Sequence, residues 1–276
     1  MQMRENCSDV ITASRVRTTT SNQMRPNKMK ANFAIGDPAF GCSIMIPSPQ
    51  IVEMIGHVGF DWVLIDMEHG TIGLESAELM IMAAESVGIT PIIRPPSNSN
   101  TDIAVAMDRG AAGVQIPHIN TAEDARRAVA AVKFGSGDHR GLAAGTRAER
   151  YGLGEAMPDF IERSNTETLV CIQLEHSTAI DNVDELLEVE EVDVFFIGPS
   201  DLSQSMGFPG NPKAESVNRT IERTLERIVT AGKTPGMPSA SDNVGDLLNQ
   251  GVRYIYTHLP KLLKSGSKEF LHAANR

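Results

Sequence analysis

Short apolar runs that end in polar or turn-forming residues recur along the whole chain. Polar stretches with helical spacing separate most of these runs. Apolar runs of this length, bounded by turn formers, are typical of strands that are buried on both faces of a parallel sheet. The predicted strands are 42–46, 62–66, 91–94, 114–116, 170–174, 194–198, 234–237 and 254–257, of which 234–237 has the weakest pattern.

The segments between these strands carry helical patterns. Thr121 precedes Asp124 with the spacing of a capping box, which predicts the start of one helix. Eight alternations of strand and helix predict an α/β fold, a single-domain (β/α)8 TIM barrel. A doubly wound open sheet is the alternative, but no glycine-rich phosphate-binding turn follows the first strand. The clearest helical patterns span 74–86, 122–132, 183–189 and 217–231.

Two segments fall outside the alternation. Residues 1–23 are polar, rich in Ser, Thr and Arg, and have neither a helical nor a strand period, which predicts a disordered extension ahead of a barrel formed by 24–276. Residues 134–163 are rich in glycine and follow the fourth strand. A loop of that length at this place is typical of an active-site or subunit-contact loop.

Composition restricts the class of function. The chain has 276 residues, 41% of them hydrophobic, and a net charge of −10, which suits one large domain that needs no crosslinks. The acidic balance argues against nucleic acid or an anionic membrane as the partner, and no apolar run approaches the roughly 20 residues that span a bilayer. Cys42 and Cys171 lie in strand-like runs, which predicts buried thiols in the reducing cytoplasm.

Ionisable groups stand where several predicted strands end. In a parallel barrel these ends meet at one edge, which is where active sites lie. Glu175 and Asp201 follow neighbouring strands, and two carboxylates can bind one hard divalent cation such as Mg²⁺ or Mn²⁺. The alternative is that each carboxylate caps a helix or pairs with an arginine.

Arg94 and two histidines complete the set of strand-end groups. Arg94 is placed to hold an enolate or carbonyl oxygen, and its alternative role is an ion pair across the barrel. A histidine side chain can gain or lose a proton near neutral pH, so His69 is the natural general base, with a solvated loop histidine as the alternative. His118 ends the fourth strand and is equally well interpreted as a site residue or as a loop histidine.

Five motifs, in this order and spacing, give the chain a family resemblance: DMEHG at 66–70, RP at 94–95, GAAG at 110–113, QLE at 173–175 and GPSDL at 198–202. Together they closely resemble the HpcH/HpaI family of class II, metal-dependent pyruvate aldolases. The family includes 4-hydroxy-2-oxoheptanedioate and 2-keto-3-deoxy-sugar-acid aldolases. The resemblance implies a (β/α)8 barrel, commonly assembled as a homo-hexamer with exchange of the C-terminal helix.

The resemblance also implies a reaction, the reversible cleavage of a 4-hydroxy-2-oxoacid to pyruvate and an aldehyde through a metal-bound pyruvate enolate. The metal would be Mg²⁺ or Mn²⁺, with Co²⁺ as a further candidate. No lysine lies at a matching strand end, which argues against a Schiff-base aldolase. In the family pattern Glu175 and Asp201 would ligate the metal, Gln173 and the Ser200 backbone amide would contact pyruvate, Arg94 would stabilise the enolate, His69 would be the acid/base, and Asp108 would raise the basicity of His69.

The chain departs from the family pattern at His118, where many members carry an apolar residue. A histidine here resembles macrophomate synthase, a relative that acts on oxaloacetate through the same enolate. Decarboxylation of oxaloacetate is therefore the alternative activity. A non-catalytic barrel that binds a ketoacid is a third interpretation, but it would be expected to lack part of the set of strand-end residues, and that set is complete here.

Overall fold

The computed structural model describes residues 26–137 and 139–274, in which parallel strands close into one barrel in chain order. The predicted (β/α)8 barrel is confirmed, and the open-sheet alternative is wrong because β1 pairs with β8. Every predicted strand falls on an observed strand, and the predicted extension at 1–23 lies outside the described residues. The strands are β1 Ala39–Ile44, β2 Trp62–Asp66, β3 Thr90–Arg94, β4 Gly113–Ile116, β5 Leu169–Leu174, β6 Val194–Ile197, β7 Thr234–Pro238 and β8 Tyr254–His258.

Helices occupy the connections between the strands. The capping box is confirmed, since the Thr121 hydroxyl accepts from the Asp124 backbone N–H at 3.1 Å and the Asp124 carboxylate accepts from the Thr121 N–H at 3.0 Å. No helix in the described part of the chain has the length and hydrophobicity needed to cross a membrane. The helices are α1 Lys28–Ala34, α2 Pro49–His57, α3 Leu74–Val87, α4 Asn100–Asp108, α5 Ala122–Val132, α6 Met157–Glu167, α7 Ser177–Asp181, α8 Val183–Leu187, α9 Pro199–Ser205, α10 Glu215–Thr230, α11 Val244–Asn249 and α12 Leu259–Ala273.

Successive side chains on each strand belong to two separate apolar layers. Outward residues such as Val63 pack against the helices, and inward residues such as Trp62 and Leu64 fill the barrel. The free thiols of Cys42 and Cys171 are buried, one in each layer, as the sequence predicts. On β2 the inward positions change from apolar to charged towards the C-terminal end of the strand, where Asp66 lies.

An aromatic cluster, formed by Trp62, Phe196, Tyr254 and Tyr256, fills the barrel interior below the polar edge. The Trp62 and Tyr254 ring centroids are 4.2 Å apart, and Phe196 stacks on Tyr256 at 5.3 Å. A Cβ at Gly41 would overlap the Trp62 ring, so the strand beside the indole needs glycine. This packing gives the strands a rigid base from which their C-terminal ends project.

Two arginines of the long segment 134–163 contact the helices that precede it or an aromatic ring of the segment itself. The Arg140 guanidinium lies 4.5 Å from the centroid of the Phe134 ring, and Arg147 pairs with Glu85. Arg147 also donates to the Arg109 carbonyl at 3.0 Å. The prediction that this segment is an active-site or subunit-contact loop stays a prediction.

Candidate active site

A buried ion pair joins the C-terminal ends of β2 and β3. The strand register places Asp66 beside Arg94, and Arg94 donates through Nε and Nη2 to the two carboxylate oxygens at 2.9 and 2.5 Å. Burial disfavours the charged guanidinium, but the hydrogen bonds and charge of Asp66 outweigh that effect and raise the pKa of Arg94 above its ordinary value. The two-point contact fixes the plane of the guanidinium.

The turn after β2 is organised by the same Asp66 carboxylate. Its Oδ1 accepts from the backbone N–H groups of Glu68 and His69 at 3.1 and 3.2 Å. The Glu68 side chain is buried, whereas about half of the His69 side chain is exposed. The turn therefore presents an accessible imidazole at the barrel edge, with its Nε2 3.6 Å from Glu68 Oε2.

A cluster of two carboxylates and one imidazole, formed by Glu68, His118 and Glu175, lies beside this turn. His118 Nε2 is 3.0 Å from Glu68 Oε1, and His118 Nδ1 is 3.1 Å from Glu175 Oε1. The His118 backbone N–H also donates to Glu175 Oε1 at 2.8 Å. The site-residue interpretation of His118 therefore has a geometric basis, since its ring bridges the groups that follow β2 and β5.

Glu68 carries an incompletely satisfied charge. Its Oε2 is buried without a hydrogen-bond partner, although Arg94 Nε lies 3.3 Å away as an ion pair. Burial raises the pKa of Glu68, and the nearby Glu175 carboxylate raises it further, while Arg94 and the two neighbouring histidines oppose the rise. Its ionised form would therefore be stabilised by an additional cation.

Glu175 is held from below by a chain of hydrogen bonds through the barrel. The Tyr254 hydroxyl donates to Gln115 Oε1 at 3.0 Å, and Gln115 Nε2 donates to Gln173 Oε1 at 2.6 Å. Gln173 Nε2 then donates to Glu175 Oε2. Gln173, predicted to contact substrate, is buried and orients the carboxylate through this chain.

The remaining predicted residues after β6 lie on the first turn of α9. Ser200 and Asp201 are exposed there, and Asp201 is outside the Glu68–His118–Glu175 cluster. β6 neighbours β5, so Asp201 and Glu175 follow adjacent strands at the same edge. The metal pair of Glu175 and Asp201 stays a prediction.

Asp108 has a different partner from the one predicted. It lies at the end of α4, and its Oδ1 accepts from Nη2 of the buried Arg140 at 2.6 Å. No contact between Asp108 and His69 is found within the described chain. Support of His69 by Asp108 stays a prediction, and in this conformation it would require Asp108 to give up Arg140.

Sequence reasoning missed three contributors to this edge: Asp66 as the partner of Arg94, Glu68 as a member of the cluster, and His258. His258 ends β8, and its ring lies 5.3 Å from Tyr256. Burial, with smaller effects from Lys261 and Arg94, lowers the pKa of His258. The available signal was the period of two, which puts His258 on the same face as the inward tyrosines of β8.

The donors at this edge fit a divalent cation. Two carboxylates and an imidazole are ligand types that first-row divalent ions accept, and Glu68 Oε2 lacks a hydrogen-bond partner. Gly198 keeps the space beside Glu175 open, because a Cβ there would lie 3.3 Å from Glu175 Oε2. The residues present therefore suit the metal that the family resemblance implies.

The chain is similar in sequence to known proteins. The family model described as HpcH/HpaI aldolase/citrate lyase matches residues 40–256. A 4-hydroxy-2-oxo-heptane-1,7-dioate aldolase from Shigella flexneri is 31% identical over 249 residues, which cover 90% of this chain and 92% of that protein. A 5-keto-4-deoxy-D-glucarate aldolase from Salmonella paratyphi C is 33% identical over 217 residues, 79% of this chain and 84% of that protein.

A solved structure shows the same architecture. The crystal structure of an HpcH/HpaI aldolase/citrate lyase family protein from Burkholderia cenocepacia superimposes with a TM-score of 0.85 at 26% sequence identity. The match covers 91% of this chain and all of that one. The barrel architecture is therefore shared.

Proposed function

Because this chain belongs to the HpcH/HpaI aldolase/citrate lyase family, we propose that it is a carbon–carbon lyase that reversibly cleaves a 4-hydroxy-2-oxoacid to pyruvate and an aldehyde. One observation carries the proposal: a carboxylate–histidine cluster stands beside a buried, oriented Arg94 at the C-terminal edge of the barrel. This combination suits a 2-oxoacid, which presents both anionic and carbonyl oxygens.

The metal-binding residues in this proposal are Glu175 and Asp201, with Mg²⁺, Mn²⁺ or Co²⁺ as the cation. A divalent cation there would draw electron density from the keto oxygen of the substrate. Gln173 holds the Glu175 carboxylate in place, and the Ser200 backbone amide is proposed to contact the substrate together with Gln173.

Arg94 stabilises the oxyanion that develops when the carbon–carbon bond breaks. Its contacts with Asp66 use Nε and Nη2, so Nη1 takes no part in that pair. A guanidinium whose orientation is fixed before reaction needs no reorganisation in the transition state. Arg94 therefore favours the pyruvate enolate over the intact substrate.

His69 moves the proton. Its exposed imidazole removes the proton from the 4-hydroxyl, the C3–C4 bond breaks, and the bonding electrons pass to the pyruvate half as an enolate. The hydroxyl carbon leaves as the aldehyde, and protonation of the enolate carbon gives pyruvate. Asp108 is proposed to raise the basicity of His69.

A homo-oligomer is part of the proposal, with a hexamer as the family expectation. Helix α12 has no buried residue, and it leaves Leu263 and Phe270 71% and 75% exposed. Large apolar side chains exposed together favour a subunit contact. Light scattering on a Leu263→Glu, Phe270→Glu double variant tests this, with a smaller particle expected than for the wild type. An unchanged mass would contradict the assignment of α12.

The first experiment measures pyruvate release from 4-hydroxy-2-oxoheptanedioate, coupled to lactate dehydrogenase, with and without EDTA. Cleavage that stops with EDTA and returns with Mg²⁺ or Mn²⁺ is the expected result, and added pyruvate controls for the coupling enzyme. Oxaloacetate is assayed in parallel, because His118 favours it as the alternative substrate. Turnover of oxaloacetate without aldol cleavage would replace the proposal, and metal-independent cleavage would overturn its metal part.

A further inference from the structure

We infer that His118 is a nitrogen ligand of the divalent metal, held in place by Glu68, and that it shifts the preference of the site from Mg²⁺ towards Co²⁺. The inference rests on the proposed function for the presence of a metal at Glu175. It goes beyond that proposal, which uses only the carboxylates of Glu175 and Asp201.

The first argument is the placement of the two ring nitrogens. His118 Nε2 is 3.0 Å from Glu68 Oε1, and Nδ1 is 3.1 Å from Glu175 Oε1. A neutral imidazole has one N–H donor and one lone pair. When Nε2 carries the hydrogen and donates it to Glu68, the lone pair of Nδ1 faces a Glu175 carboxylate oxygen, and these two electron-rich atoms repel each other. A cation bound by both Nδ1 and that oxygen would replace the repulsion by two ligand bonds.

The second argument is the spacing of the donors. Ligands of a first-row divalent ion bind it at roughly 2.0–2.2 Å, so adjacent ligand atoms stand about 3 Å apart. The separation of 3.1 Å between His118 Nδ1 and Glu175 Oε1 matches that spacing. A carboxylate that accepts from the other imidazole nitrogen is the usual support of a metal-bound histidine, and Glu68 provides it.

The third argument is a charge that no donor satisfies. The side chains of Asp66, Glu68 and Glu175 are buried at this edge, and the Arg94 guanidinium pairs with Asp66 and Glu68. Arg94 is engaged by Asp66, and Glu68 Oε2 has no hydrogen-bond partner although only 7% of the Glu68 side chain is exposed. The three carboxylates therefore carry more negative charge than Arg94 neutralises, and a cation bound by His118 and Glu175 would offset the excess.

The backbone of His118 adds to the case. Its φ is +58°, a left-handed conformation that is uncommon outside glycine. This conformation directs both the backbone N–H and the ring of one residue at Glu175. Imidazole nitrogen favours the later first-row ions over Mg²⁺, which prefers oxygen ligands.

The test measures metal binding to the full-length, metal-free protein by titration calorimetry, with Co²⁺ alone and Mg²⁺ alone. His118→Asn is the variant, because Asn tolerates the left-handed backbone, and His57→Asn on the exposed end of α2 is the matched control. We expect the Kd for Co²⁺ to rise at least roughly tenfold in His118→Asn, the Kd for Mg²⁺ to rise less than about threefold, and the control to bind as the wild type. The visible spectrum of the bound Co²⁺ should also change only in His118→Asn.

Two results would overturn the inference. An unchanged Co²⁺ affinity and spectrum in His118→Asn would show that the imidazole does not bind the ion. Tighter Co²⁺ binding in His118→Asn would show that the His118 ring competes with the ion for the Glu175 carboxylate. In both cases the proposed function would stand if the wild type binds Co²⁺ and Glu175→Gln does not. A wild type that binds neither Co²⁺ nor Mg²⁺ would contradict both the proposed function and this inference.

Discussion

The interior of the barrel and its C-terminal edge are built on the same strands with opposite chemistry. Inside, Trp62, Tyr254 and their neighbours pack ring against ring, and they hold no formal charge. At the edge, Arg94 forms ion pairs with the buried carboxylates of Asp66 and Glu68. Successive inward positions on one strand, two residues apart, belong to the two environments. A mutation in the interior should therefore affect stability, and a mutation at the edge should affect metal binding.

The largest expected effect is at the edge. Glu175→Gln removes a proposed metal ligand but keeps the shape of the side chain, so turnover should fall by at least about 10³-fold, or roughly 4 kcal/mol in activation free energy. The thermal midpoint should stay close to that of the wild type. Steady-state pyruvate release and thermal melts check both parts, with the exposed Glu185→Gln on α8 as the control. Wild-type activity in Glu175→Gln would contradict the proposal that the edge residues control metal binding and turnover.

The opposite response is expected in the interior. Trp62→Ala empties a fully buried site, and the free energy of unfolding should fall by about 3–5 kcal/mol. Co²⁺ affinity at a temperature where the variant is folded should stay within about threefold of the wild type, because the indole packs against Tyr254 and Tyr256 in the aromatic cluster. Urea unfolding and calorimetry measure the two quantities. If Trp62→Ala lost metal binding but kept its stability, the interior would control binding, which contradicts the proposed division of roles.

Tyr254 tests whether the two regions are connected. Tyr254→Phe removes the donor to Gln115 at the start of the chain that reaches Glu175 through Gln173, while keeping the ring in the aromatic cluster. The unpaired Gln115 oxygen should cost about 1–3 kcal/mol of stability. Metal Kd should rise only a few-fold, because Gln173 still contacts Glu175. Tyr151→Phe, at an exposed tyrosine outside the aromatic cluster, serves as the control. A metal affinity reduced as much as in Glu175→Gln would mean that the interior directly controls the edge.

The smallest effect concerns Glu68 in the metal-free protein and depends on pH. Because burial raises its folded-state pKa above the ordinary 4.5, the native state binds more protons than the unfolded state as pH rises through that window. Metal-free wild type therefore loses stability from this group on going from pH 4 to pH 7. Glu68→Gln should lack that loss and be more stable at pH 7 by about 1 kcal/mol, with little difference at pH 4. Urea midpoints at both pH values test this, and equal midpoints at pH 7 would refute it.

Much of the fold was predictable because its signals are local. Most of the apolar runs are long enough to identify a strand, 234–237 being the weakest, and helix α5 carries its own start signal in Thr121 and Asp124. The strand-end positions of Arg94 and Glu175 followed from the same pattern, since a strand that stops at a polar residue places it at the barrel edge. Their importance could therefore be anticipated without contacts.

Partners could not be predicted in this way. Asp108 was expected near His69, yet it pairs with Arg140 from a segment 32 residues further along the chain. Glu68 and His118 belong to different strand ends, and nothing in either local sequence indicates that they meet. Such pairs depend on how far each loop bends back, and loop conformation is weakly encoded in local pattern.

The sequence by itself determined the barrel, the family and several of the strand-end groups, because strand length, helical period and motif order are properties of neighbouring residues. The tertiary structure decided which of these groups touch. It joined Asp66 to Arg94, placed His118 between Glu68 and Glu175, and connected Tyr254 to Glu175 through two glutamines. Those contacts arise from barrel closure and strand register, which bring residues together over separations that no local pattern records.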